Sequence, residues 1–582
     1  MKFTFDLFHG DQSPSKDFVG WVSKWWYRSV GLPIEKGVLP TGDEWLLVGW
    51  FLSEGSPSEI ISKFRSTGVE TLFEADGQFI LVIYSKYDDT LYIYRDRTGT
   101  VPIVYAKGEN GLAISLWASH VSDLAGIGKS VSTSFKQLPL YRVIIDSSTL
   151  LDGVNALSSR CSMRIRDKKI TLDEHPMVPA NEELFPTLQV ASDVLGENLS
   201  RSVKKRVQNC NDIGAWLSGG NDSSLIVALL RRHYSRNIRT IFVTFEDYKQ
   251  SYGDYARQIA KKYETDHIEC ILTLKEYLNL WAETIYSVQD PLNSPNTIGQ
   301  AAALKMLAGS IGSILTGEGA DTIFGGPYWT PLLLLSYMGG VMPGFLRRLI
   351  FNLSEKMNGT TYMTKIIAKG LRASGTPVRD YIHSENAFGM KKLVDPVFGS
   401  GTWQATITSL HPYIRSNMYS DLFVFLLLDY HPAHIAASRR LGYWHGLPDV
   451  YPFLDYELIQ HSQRLPARLR YHFSTKKASL KLYAKDFFDT EFIYKPKEGF
   501  GVPLSTWFTR REFEPFLKLP LEERSLRRGW WNESELKKVI DLHIAGYGND
   551  KTAESIPWIA TNLELWARIC LEGDSPGAYK VS

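Results

Sequence analysis

Through the first 174 residues the hydrophobic positions come in short runs broken by turn residues, at 45–51, 78–84, 90–94, 101–105, 141–145 and 162–165. Runs of this length are strand-sized, so this half is expected to be a layered β-domain. A polar, proline-containing stretch at 175–187 interrupts the pattern before a helical run at 188–207, which makes it the expected linker. After Asp212 the rhythm changes to apolar runs alternating with amphipathic helices. Strands are predicted at 213–217, 238–245, 267–273 and 313–316, and helices at 223–231 and about 255–263. Such alternation predicts a parallel sheet with helices on both faces, a doubly wound α/β architecture. Beyond Tyr328 the pattern is mostly helical, with no repeat. The expected division is a β-rich domain over 1–185 and an α/β domain with helical additions over 186–582.

Composition narrows the function classes. A chain of 582 residues, 44% hydrophobic and 22% charged, can bury the cores of more than one domain. Its 65 basic and 63 acidic residues nearly cancel, so no global field favours nucleic acid or an anionic membrane. Asp6, His9 and Asp11 interrupt any secretory signal. The longest apolar stretches, 332–345 and 422–428, are broken by Pro343 and glycines or are too short to span a bilayer. Cys161, Cys210, Cys270 and Cys570 lie far apart, in neither a metal-ligand spacing nor a disulfide framework. A cytoplasmic location is the expectation.

The segment Ser218-Gly219-Gly220-Asn221-Asp222-Ser223-Ser224 runs off a predicted strand into a predicted helix. Gly219 and Gly220 let the backbone approach phosphate oxygens, amides at the helix start point toward an anion, and Ser218 and Ser223 add hydroxyl donors. No Walker lysine follows, so the loop is expected to hold pyrophosphate rather than to prepare γ-phosphoryl transfer. A second segment, Thr316-Gly317-Glu318-Gly319-Ala320-Asp321, also follows a short apolar strand and puts Asp321 at the same sheet edge as Asp222. Two carboxylates there can hold Mg²⁺ on a triphosphate. Taken alone, Asp321 also reads as a helix N-cap. Glu318 is the candidate general base for an incoming amine; the competing reading is a carboxylate that only organises its loop.

These two segments, with Tyr451-Pro452-Phe453-Leu454-Asp455 and Lys495-Pro496-Lys497-Glu498-Gly499-Phe500-Gly501-Val502-Pro503-Leu504, resemble the asparagine synthetase family in content and order. The resemblance implies an ATP-pyrophosphatase-type fold in which a carboxylate attacks the α-phosphorus of ATP and an amine captures the acyl-adenylate. It places adenine beside Leu217 and Val243, Thr244 and Phe245, pyrophosphate on the 218–223 loop with Gly317 close by, and Mg²⁺ on Asp222 and Asp321. It brings Lys497 to the α-phosphate and the developing oxyanion, where a cation is chemically apt. Lys477 and Lys481 resemble the family's Lys-x-x-Leu-Arg stretch, although their spacing also suits a solvated helix face. Arg439 and Arg440 are read either as carboxylate binders or as structural ion-pair partners.

The N-terminal half resembles the family's glutaminase domain, of Ntn type, through residues 72–84 and the Arg95-Asp96-Arg97-Thr98-Gly99 turn. In glutamine-dependent members a terminal cysteine releases ammonia. Here Lys2 stands where that thiolate is needed, and Leu46-Leu47-Val48-Gly49-Trp50 stands where an Asn-Gly segment is. A domain without the catalytic cysteine makes no ammonia, so the nitrogen is expected to come from an amine on the substrate itself. Among relatives that cyclise, β-lactam synthetases carry Tyr at the Glu318 position, whereas lasso peptide cyclases carry a similar segment. The favoured expectation is a lasso cyclase that joins a precursor peptide's N-terminal amine to an Asp or Glu side chain, working with a leader-peptide-binding protein and a leader protease. An ammonia-using asparagine synthetase, a β-lactam-type synthetase and a vestigial scaffold stay open as alternatives.

Overall fold

The computed structural model describes residues 3–175 apart from 23, 53–55, 68–71 and 73–74; 184–325 apart from 209, 211 and 249–251; and 342–356, 367, 371, 374, 391–399, 402, 423, 426–472, 475–496, 501–548 and 555–581. The N-terminal half is built on two six-stranded antiparallel sheets. One runs Asn155–Ala156, Val104–Lys107, Leu112–Ser115, Thr4–His9, Trp25–Val30, Val19–Gly20. The other runs Lys169–Glu174, Cys161–Arg166, Thr90–Arg95, Gly77–Ser85, Glu44–Phe51, Ile34–Val38. Alternate side chains from the two sheets, among them Phe5, Leu7, Leu46, Val48, Val82 and Ile114, share one core. The opposite faces pack elsewhere, Phe8 and Ala113 against the Ala118–Ala125 helix and Leu47 and Leu81 with Ile61. Burial on both faces of the central strands thus makes a layered β-domain, as the strand-sized apolar runs predict.

Three readings change in detail. The apolar run at 141–145 is not a strand: Pro139 sits at the start of a short helix, Leu138–Tyr141, and Arg142 at φ +59° ends it. Val143 and Ile145 are apolar because they pack into the synthetase half. The strand expected at 101–105 begins at Val104, and the strands Thr4–His9, Trp25–Val30, Ile34–Val38, Leu112–Ser115 and Lys169–Glu174 were not legible. Residues 176–183 of the expected linker lie outside the described residues; at its end Thr187 caps the Leu188–Val207 helix by accepting from Val190 N at 3.3 Å.

The second half is organised by a five-stranded, wholly parallel sheet in the order Asp266–Leu272, Ile238–Phe245, Ile213–Trp216, Ser313–Leu315, Asp449–Val450. One face packs on the Leu274–Val288 and Asn296–Leu307 helices, the other on Leu188–Val207 and Asn221–His233. The strand order reverses between Ile213–Trp216 and Ser313–Leu315. In an open α/β sheet the crevice beyond the carboxyl ends at such a switch point is where ligands bind. Among the described residues no helix is long and apolar enough to cross a membrane.

The two halves meet through buried polar groups. Arg206 pairs with Asp76 at 3.0 Å and Asp455 at 2.9 Å, Gln78 Nε2 donates to the Asp449 carbonyl at 3.3 Å, and Phe3 N donates to the Tyr443 carbonyl at 3.0 Å. The last strand of the parallel sheet is thereby held from the β-domain side.

Candidate active site

Two loops leave the switch point and define a cleft of roughly 790 Å³. In the first, Ser218 Oγ lies 2.9 Å from Ser223 Oγ, which also accepts from Ser218 N at 3.1 Å. Gly219 has φ +74°, and a Cβ there would stand 2.3 Å from the Tyr252 carbonyl oxygen, so both conformation and space demand glycine. The following helix starts at Asn221, earlier than its apolar pattern shows, which brings Asp222 into its first turn. In the second loop Glu318 N donates to Thr316 Oγ1 at 3.1 Å, and Gly319 at φ +93° turns the chain into the Ala320–Phe324 helix carrying Asp321. A Cβ on Gly317 would lie 2.9 Å from Ser223 N, so the loops touch through glycine. This arrangement of glycine backbone, paired serine hydroxyls and a helix start fits the phosphates of ATP.

Between the loops stands Lys477. Its Nζ donates to Asp222 Oδ2 at 2.6 Å and meets Asp321 Oδ1 at 2.7 Å. The Asp222 and Asp321 charges overcome the burial that would lower its pKa and hold the ammonium above its usual value. The two carboxylates therefore converge on one cation, with Lys477 Nζ as the stand-in, and their hard oxygen donors fit Mg²⁺. No group of three His, Cys, Asp or Glu that could hold a metal occurs among the described residues.

Burial and then the Asp321 charge push the Glu318 carboxyl up to about 7, with Lys477 opposing. Its side chain is still 45% exposed at the cleft, so a substrate filling the cleft adds to that desolvation. Lys495 also lines the cleft. Its Nζ stands 3.1 Å from the Phe492 ring centroid and 4.4 Å from that of Tyr255, and burial lowers its pKa to about 7.

The cleft thus gathers Leu217, Ser218, Gly220, Asp222, Ser223, Val243, Gly317, Glu318 and Asp321, with Gly219 shaping the first loop from behind. Thr244 and Phe245 do not line it. Thr244, one residue on from Val243, turns to the opposite face, whereas Phe245 shares the face of Val243 but packs in the core, edge-on to Tyr277 and Trp507. Val243, Phe242 and Ile241 form that wall instead. Lys497 lies outside the described residues. Arg439 donates to the Asp449 carbonyl and, at 3.1 Å, to Tyr443 Oη, while Arg440 pairs with Asp290 at 2.6 Å; both serve packing rather than the cleft. Lys481 lines the cleft beside the Tyr494 ring. Trp216, Asn293, His434, Ser438 and Asp449 also line it, and none belongs to a local motif. Lys477 and Lys481 carried a signal, their place in the Lys-x-x-Leu-Lys stretch, and Tyr451 and Lys495 lie in the other two ordered motifs.

Burial raises the pKa of all four thiols, Cys270 to about 11. None is a poised thiolate.

Fold and cleft together define an ATP-dependent ligase that forms amide bonds. The asparagine synthase family model matches residues 195–568, and the glutamine amidotransferase domain model matches 50–176. The chain belongs to the asparagine synthase family. It is 26% identical over 481 residues to a putative glutamine-hydrolysing asparagine synthetase of Mycobacterium tuberculosis, covering 79% of this chain and 72% of that one. It is 24% identical over 543 residues to glutamine-hydrolysing asparagine synthetase 1 of Bacillus subtilis, covering 90% and 82%. Among solved structures, the ammonia-dependent NAD synthetase of Campylobacter jejuni aligns with 31% of this chain and 93% of its own, at 14% identity and a TM-score of 0.18.

Proposed function

We propose that this ligase is a macrolactam synthetase of the lasso peptide type, activating an Asp or Glu side chain of a precursor peptide and closing it onto the peptide's N-terminal amine. The observation that carries this reading is the pairing of a cleft that holds both loops and their carboxylates with four thiols of raised pKa, none suited to release ammonia from glutamine. On this reading the nitrogen arrives on the substrate. A cleft of roughly 790 Å³ lies toward the upper end of small-ligand sites and leaves room for a peptide segment beside the nucleotide.

In the first half-reaction a carboxylate oxygen attacks the α-phosphorus, the bond to the bridging oxygen breaks, and pyrophosphate leaves from the 218–223 loop. The Ser218 and Ser223 hydroxyls and the loop amides bind the departing anion. Asp222 and Asp321 would hold Mg²⁺, which supplies charge neutralisation on the phosphates. In the second half-reaction Glu318 takes a proton from the amine as it adds to the acyl carbon, and AMP departs. Adenine lies against the wall of Val243, Phe242 and Ile241. A leader-peptide-binding protein and a leader protease complete the system on this reading, and the enzyme works in the cytoplasm.

The relatives' names favour a second reading, amidation of a small carboxylate with free ammonia. Incubation with ATP, Mg²⁺ and a linear peptide bearing a free N-terminus and an internal Asp or Glu separates the two. The proposal expects AMP, pyrophosphate and a product lighter by one water. ADP formation would overturn the mechanism, and asparagine from aspartate and ammonium, with no peptide product, would establish the second reading.

A further inference from the structure

We infer that Lys477 is a built-in counter-ion that keeps the Asp222–Asp321 pair closed to a free divalent cation, so that metal enters only together with a nucleotide's phosphates. The inference rests on the reading of these carboxylates as metal ligands. Lys477 Nζ already sits 2.6 Å from one and 2.7 Å from the other, at the place a shared cation takes. The residue is 8% exposed and has φ +53° at the start of the Ala478–Ala484 helix, a left-handed conformation uncommon for a side chain of this size. The fold thus holds the Lys477 backbone in an uncommon conformation with its side chain buried between the carboxylates.

A second observation points the same way. Among the described residues no third acidic, histidine or cysteine ligand joins the pair. A bare divalent ion would have two carboxylates, would have to expel the ammonium from both, and would meet Lys476, Lys481 and Lys495 lining the same cleft. A triphosphate changes each term. Its oxygens complete the metal's shell and offer the displaced ammonium new acceptors. Lys477 is on this account a positioning residue with two successive partners, the carboxylates before nucleotide binding and phosphate oxygens after it.

The test uses the full chain with Mn²⁺ as probe, following the free-ion electron paramagnetic resonance signal with and without a non-hydrolysable ATP analogue that retains all three phosphates. Wild type is expected to bind Mn²⁺ at this site only with the analogue. Lys477→Met should bind Mn²⁺ without nucleotide at least tenfold more tightly than wild type, and Lys477→Arg, which keeps the charge, should not. Equally tight binding of Mn²⁺ alone by wild type would overturn the inference, and this arm does not depend on any variant folding. No gain in a folded Lys477→Met, with nucleotide-dependent Mn²⁺ binding lost in Asp321→Asn, would overturn the counter-ion role alone. Unchanged Mn²⁺ binding with the analogue in both Asp222→Asn and Asp321→Asn would overturn the ligand assignment and the inference with it.

Discussion

His431 Nδ1 lies 3.9 Å from Glu318 Oε1 and 3.3 Å from Thr322 Oγ1, so the imidazole beside the candidate base is one the protein keeps uncharged. His431 is 2% exposed, and burial, with His434 adding, lowers its pKa to about 3. At neutral pH it gives Glu318 no positive charge to lower its pKa. The carboxyl faces Asp321, Asp222 and Asp449 against the ammonium of Lys477 and stays raised to about 7.

Amide formation should therefore rise with pH through an apparent pKa of about 7, because Glu318 accepts a proton only when ionised. The linkage to stability has the opposite slope: a carboxyl with a raised folded pKa contributes stability below about 4.5 that is lost as pH rises through about 7. Glu318→Gln should abolish the activity limb and slow amide formation by roughly 10²–10⁴-fold, the usual contribution of a general base. Pyrophosphate release in the first turnover should persist. Parallel assays of pyrophosphate and amide over pH 5.5–9 check both, and an unchanged amide rate in the variant would remove Glu318 from proton transfer.

Gly317→Ala probes the contact between the loops. Its Cβ would lie 2.9 Å from Ser223 N, a backbone atom that cannot swing aside as a side chain does. Overpacking of this kind costs about 1–3 kcal/mol, so ATP affinity should fall by about tenfold or more while the fold persists. Calorimetric ATP titration beside circular dichroism makes the check.

Arg206 joins the halves of the molecule with a side chain 3% exposed between Asp76 and Asp455. Arg206→Met would leave two buried carboxylates without their counter-ion and should lower stability by roughly 3–5 kcal/mol. Urea unfolding of the full chain measures the loss. A change below about 1 kcal/mol would show that water or a rearranged neighbour replaces the guanidinium.

Much of this was legible because the signals are local. Alternation of apolar runs with helices marks a parallel sheet, and Gly219 and Gly317 announce close backbone approaches that other residues cannot make. The failures have local causes too. Val143 and Ile145 read as strand because burial, not strand geometry, makes a run apolar. Thr244 and Phe245 read as nucleotide contacts beside Val243, yet Thr244 turns to the opposite face of the strand and Phe245, on the same face as Val243, is taken up by core packing against Tyr277 and Trp507.

The sequence by itself determined the class of chemistry: a phosphate loop, two acidic residues 99 positions apart and the family's ordered motifs are all written in consecutive residues. What only the tertiary structure decided is how the charges meet. Lys477 lies 255 residues from Asp222, and His431 113 residues from Glu318. Their distances and raised or lowered pKa values arise from burial and Coulomb interaction across the folded cleft, which depend on separation in space and have no period along the chain.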